Sequence, residues 1–84
     1  LLIGGCIWEI KEVEAPEIGD EEAAGDSNAK RCLIRIVQQM NPDAKEMTLW
    51  HEILHAINSE LDEVTVQFLA SAIVPVIRQL YSPK

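Results

Sequence analysis

The stretch Thr48-Leu49-Trp50-His51-Glu52-Ile53-Leu54-His55-Ala56-Ile57 decides how this chain is read. It sets a His-Glu-x-x-His signature inside an apolar pattern of helical period. Leu49, Ile53 and Ile57 recur every four residues, and Trp50 and Leu54 widen the stripe, so the spacing predicts a helix with one buried face. His51 and His55 lie off that stripe. Residues four apart sit one above the other on a helix, so both imidazoles can reach one ion. Glu52 is one residue further on, about 100° around the axis. It is poorly placed as a ligand and well placed to meet a water beside the ion. A zinc hydrolase needs this division: ligands from the histidines and a general base from the glutamate. The expected site is therefore His51 and His55 on Zn²⁺, with Glu52 catalytic. The bland alternative is two partly exposed helix histidines with an ordinary glutamate between them.

Catalytic zinc takes three protein ligands and keeps one open position. His51 and His55 are the only histidines in the chain, so a carboxylate is the natural third ligand. Glu60, Asp62 and Glu63 follow within reach of a tight turn after Asn58. Glu63 is the first choice, because it falls one turn into a second helix. Glu60 and Asp62 remain as alternatives, and Asp62 could instead cap that helix. Acids are also favoured at a helix start by the helix dipole alone.

Working outward, Asn41-Pro42-Asp43 supplies a start for the motif helix, with Asn41 as N-cap and Pro42 in the first turn, so a helix is expected over 42–58. Residues 62–80 predict a second helix, apolar on most faces, with Pro75 producing a kink or an early end near Val74. A helix of that kind either lies central in a core or buries a second face on another chain. A homodimer through this helix is one of these two expectations. Upstream, residues 1–14 read as a strand, with a turn or bulge at Gly4-Gly5, and 30–38 as a second strand with Cys32, Ile34 and Ile36 on one face. Between them, 15–29 reads as an exposed acidic loop ending in turn chemistry at Asp26-Ser27-Asn28. The whole predicts one α+β domain over 1–84, a small antiparallel β-sheet or hairpin followed by two α-helices.

The chain has 84 residues and a net charge of −7. With no basic stripe available, a nucleic-acid or anionic-membrane surface is disfavoured. The apolar run over 64–80 is interrupted by Thr65, Gln67, Ser71, Pro75, Arg78 and Gln79, too polar for a membrane span. Cys6 and Cys32 make no disulfide framework and no Cys-x-x-Cys pair, and both read as small buried residues. No signal peptide is visible, and a cytoplasmic location is expected.

Residues Leu49 to Ile57 resemble small zincin-like metallopeptidase domains, notably phage-type and ImmA/IrrE-type proteins. Phe68-Leu69-Ala70-Ser71-Ala72-Ile73-Val74-Pro75 looks like the Phe-Ala-x-x-Leu-Leu-x-Pro stretch of that group, with Leu69 in place of the usual Ala. The segment Cys32-Leu33-Ile34-Arg35-Ile36 ahead of the motif helix is also similar. The resemblance implies a minimal zincin-like fold and a zinc site of His51, His55 and Glu63, with Glu52 as catalyst. It further implies a polypeptide substrate, such as one regulatory protein. The competing expectation is a non-catalytic, metal-stabilised interaction or regulatory protein, of phage type. A metal-free structural domain with a decayed motif is the third.

Overall fold

The computed structural model of the chain describes residues 1–14 and 24–81. It is an α+β fold of β1 (Leu2–Ile3), β2 (Cys6–Ile7), β3 (Glu9–Val13), β4 (Gly25–Asn28), β5 (Leu33–Val37), α1 (Pro42–Ile57) and α2 (Glu63–Tyr81). The segment read as one N-terminal strand is divided. Gly4 and Gly5 take φ of 57° and 81°, a backbone that favours glycine, and the chain reverses there so that β1 and β2 pair antiparallel. The strand resumes as β3, which runs parallel to β5, while β4 pairs antiparallel with β5 on its other side. The main sheet is thus mixed, in the order β3-β5-β4.

Two expectations upstream need correction. Residues 25–28, read as part of an exposed loop, form the edge strand β4; residues 15–23 lie outside the described part of the chain. Pairing with β5 overrides the local turn chemistry, and Arg35 binds Asp26 directly across the two strands, Nε to Oδ1 at 2.9 Å. Cys6, read as buried, is exposed, because β2 belongs to a two-residue hairpin outside the main sheet; Cys32 is half-buried and both thiols are free.

Helix α1 lies on the sheet, chiefly against β4 and β5. The central strand is buried on its inner face through Ile34 and Ile36, which join Trp8 and Ile53 in one cluster, with Leu49 and Trp50 packed against it. Ile57 is the exception to the predicted stripe: at the end of α1 it is exposed. The helix starts as expected. Asn41 is its N-cap, and its side-chain oxygen accepts from the Ala44 backbone N–H at 2.8 Å. Replacing Asn41 by Ala is expected to cost about 1 kcal/mol. A urea titration of the two proteins followed by circular dichroism checks this; an unchanged midpoint would remove the cap from the account of α1.

Helix α2 packs chiefly on α1 and forms a third layer. Its buried residues are Val66, Ala70 and Val74, spaced by four along one narrow face. Asp62 caps it, accepting from the Thr65 N–H at 2.6 Å, which holds the Asp62 carboxyl below its ordinary value. The helix does not stop near Val74 but runs through Pro75 to Tyr81. The two helices are antiparallel neighbours: Arg78 near the end of α2 reaches Asp43 and Glu46 near the start of α1, at 3.1 and 3.0 Å. That arrangement returns the start of α2 to the far half of α1, where the histidines are.

Candidate metal centre

The first turn of α2 brings Glu63 opposite His51 and His55. Glu63 Oε2 lies 2.9 Å from His51 Nε2, and Glu63 Oε1 lies 2.8 Å from His55 Nε2. One carboxylate thus addresses both rings, one oxygen to each. The two imidazoles stand 4.9 Å apart, inclined at 64°, as residues four apart on one helix face. One ligand atom from each of the three side chains falls within a 4.8 Å span. Glu60 and Asp62 do not join them. Asp62 is committed to the α2 cap, and the Glu60 backbone N–H is tied to the Asn58 side chain in the connecting turn.

Two features of the rings bear on what the group can hold. His51 Nδ1 lies 3.2 Å from Gln67 Oε1. An amide oxygen only accepts, so a proton on Nδ1 satisfies this contact and would free the Nε2 lone pair for an ion in place of its 2.9 Å contact with Glu63 Oε2. His55 Nε2 is buried and has no hydrogen-bond partner: Glu63 Oε1 is close, but its approach falls outside hydrogen-bond geometry. A cation at that point would give His55 Nε2 a partner. The donor set of two imidazoles and one carboxylate is one that zinc hydrolases use.

Among the described residues Glu52 is the one buried acid, only 7% exposed. Burial pushes its carboxyl up from the ordinary value; His51 and His55 pull it back, while Glu63 and Asp26 push it further up. It sits where α1 meets β4: a Cβ built on Gly25 would come within 3.4 Å of Glu52 Cγ. The acid is therefore held between the sheet edge and the histidines rather than in open solvent.

These residues line an open cleft of about 990 Å³, walled by residues 24–27 on the sheet side and by Ser59, Leu61, Asp62 and Gln67 on the other. Neither Gln67 nor the β4 wall stands out in the sequence. Gln67 had a usable signal, since it lies four residues after Glu63 and so shares its face of α2. The β4 wall had none, because its place depends on pairing with β5. Tyr81, Arg31, Arg35 and Arg78, the polar groups that could have stabilised an oxyanion, do not line the cleft. Arg35 is engaged with Asp26, and Arg78 with the start of α1. Comparison with family models, curated proteins and solved structures finds no match for this chain.

Proposed function

We propose that the chain is a minimal zinc-dependent metallopeptidase of zincin-like type, acting on a polypeptide. The observation that carries this reading is the meeting of His51, His55 and Glu63 within 4.8 Å, beside a buried Glu52 and around an unsatisfied His55 Nε2. His51, His55 and Glu63 would hold the ion. Zinc, when bound, supplies a Lewis acid and a water acidic enough to react near neutral pH. Glu52 takes the proton of the attacking water on its carboxylate and passes it to the leaving amine. Its partial desolvation suits that work, because a carboxyl raised towards neutrality both accepts and returns a proton. Gln67 orients the His51 ring through Nδ1, the outer partner that ligand imidazoles ordinarily have.

The substrate would lie extended along β4. Among the described residues that strand is at the edge of its sheet, and it forms one wall of the cleft, so its outer main-chain groups could pair with a peptide backbone. Main-chain pairing supplies affinity with little sequence preference, and the side walls of the cleft would supply what selectivity there is.

Metal analysis tests the proposal first. Protein purified without chelator is expected to carry about one zinc per chain, lost in His51→Ala. Zinc at a hundred times its dissociation constant should stabilise the fold by about 2.7 kcal/mol. For a chain of this length that raises the melting temperature on the order of 10–20 °C. Wild-type protein that neither carries zinc nor takes it up would overturn the reading.

A second reading rests on one observation: among the described residues no Tyr or Arg lines the cleft. Without an evident oxyanion donor, the same three ligands could serve a non-catalytic, metal-stabilised interaction protein, with zinc pinning α2 to α1. The two readings share the metal and part at Glu52, which only the first requires.

A further inference from the structure

We propose that Asp62 selects the substrate by charge, favouring a peptide with Lys or Arg beside the scissile bond, an inference that rests on the metallopeptidase reading above. The starting point is how charge is distributed around the cleft. Its walls carry four acids, Asp26, Glu52, Asp62 and Glu63, and no Lys or Arg among the described residues. The cations lie elsewhere. Lys45 pairs with Glu12, and Arg78 with Asp43 and Glu46 near the start of α1. Lys11 is on β3, at the opposite edge of the sheet from β4, and Lys30 and Arg31 belong to the turn that leads into β5. The cleft is marked as a binding place independently of these charges. Glu52, 7% exposed, lines it without a hydrogen bond or ion pair to a described residue, and the buried His55 Nε2 is unsatisfied.

Three of the four acids are already engaged. Glu63 would hold the ion and Glu52 would serve its water. Asp26 is bound by Arg35 across the strands, Nε to Oδ1 at 2.9 Å. Asp62 is the acid left to meet a substrate. It precedes Glu63 directly, so the two Cα atoms are about 3.8 Å apart, and it lies on the wall of the cleft across from β4. Its carboxylate is held in place. The Thr65 N–H donates to Oδ1 at 2.6 Å, and a carboxylate has further acceptor sites that this one bond does not use.

A peptide lying between β4 and the metal group presents the residues flanking its scissile bond to that wall. Lys and Arg have stems long enough to reach a carboxylate there, and Arg can engage it through two N–H groups. An acidic side chain at the same place meets a like charge. The whole chain adds to the effect: its net charge is −7, and a cleft lined by one sign concentrates the field. A divalent ion offsets only part of the charge on the four acids.

Three acetylated peptides test the assignment, each with a central Ala-Ala flanked on both sides by Lys, Gln or Glu. Cleavage is measured with the zinc-loaded full chain, and binding in a Glu52→Gln background. At low ionic strength the Lys peptide should bind at least about tenfold more tightly than the Gln peptide, and the Glu peptide more weakly than either. The differences should shrink as salt is added. Asp62→Asn should lower the ratio of Lys-peptide to Gln-peptide affinity about two- to fivefold, the range of an exposed ion pair. Asparagine caps a helix as well as aspartate does, so this variant should keep its circular dichroism spectrum and its zinc. Glu9→Gln, on the exposed part of β3, removes the same charge far from the cleft and should leave the ratio unchanged. A ratio unaffected by Asp62→Asn, or lowered equally by Glu9→Gln, would overturn the role of Asp62. So would cleavage indifferent to the charge of the peptide, or no binding of any of the three. Failure of the metallopeptidase reading looks different: no zinc is taken up, or zinc binds and wild type cleaves nothing. In that event the Lys preference in binding, and its loss in Asp62→Asn alone, still decides whether Asp62 selects by charge.

Discussion

Glu52→Gln is expected to keep one zinc per chain and to lose peptide cleavage. The expectation follows from where Glu52 stands. It touches the cleft but is not among the three groups that converge, so its replacement leaves the ligand set whole. Glutamine has the same shape and cannot accept the proton. Loss of a positioned general base costs about 10²–10⁴ in rate. The fold should tolerate the change. Glu52 is buried, and burial pushes its carboxyl up from the ordinary value, so a neutral amide there removes a desolvation cost rather than a stabilising charge. Zinc-loaded wild type and variant would be incubated with a mixed peptide library and the products read by mass spectrometry, with metal content measured in parallel. Cleavage by wild type and not by the variant, at equal zinc, is the expected pattern. Cleavage retained by the variant would refute the role of Glu52. If zinc binds and raises the melting temperature while neither protein cleaves any peptide, the metal-stabilised interaction protein becomes the better account.

The helices were legible in the sequence because their signals are local. Asn41-Pro42 marks a start, Leu49 and Ile53 mark a face, and His51 and His55 fall together whatever the remainder of the chain does. Asp62 could likewise be read as a cap, and Glu63 was the first choice over Glu60 as the acid that turns inward. The sheet was less legible, since its order is a matter of long-range pairing. Nothing in Gly25-Asp26-Ser27-Asn28 alternates, and its residue types favour turns; it is a strand because β5 lies beside it and Arg35 reaches Asp26. The parallel pairing of β3 with β5 has no local signature either. For α2, the composition predicts a helix with too much apolar surface for one partner. Only the stacking of α2 on α1 says which face is covered and which is left outward.

Gly25→Ala is the substitution expected to couple that illegible strand to the site, with a large effect on both stability and activity. A Cβ at position 25 would lie 2.7 Å from the Arg35 carbonyl oxygen, closer than real Cβ atoms come, 3.0 Å from Thr48 Cγ2 and 3.4 Å from Glu52 Cγ. The tightest contact is to backbone, so no side-chain rotation can relieve it. β4 has to move away from β5, or α1 away from β4. Overpacking of this kind costs about 1–3 kcal/mol, and a clash with main chain belongs at the upper end. In a domain of this length, whose total stability is on the order of 4–12 kcal/mol, that is a severe loss. The chemical consequence is separable from the thermodynamic one. His51, His55 and Glu63 belong to α1 and α2, and their convergence does not pass through β4, so one zinc per chain should remain. What shifts is the wall against which Glu52 is held and along which the substrate would lie. At a temperature where the variant is still folded, cleavage should fall at least about tenfold at full zinc occupancy, because small misplacements of a reacting group are costly. Denaturant titration, metal content and cleavage measured on one preparation separate the outcomes. Unchanged stability would mean that the sheet edge is not packed as closely on α1 as Gly25 implies. Lowered stability with undiminished cleavage would detach β4 from the substrate path and leave the catalytic reading to rest on Glu52 and the three ligands alone.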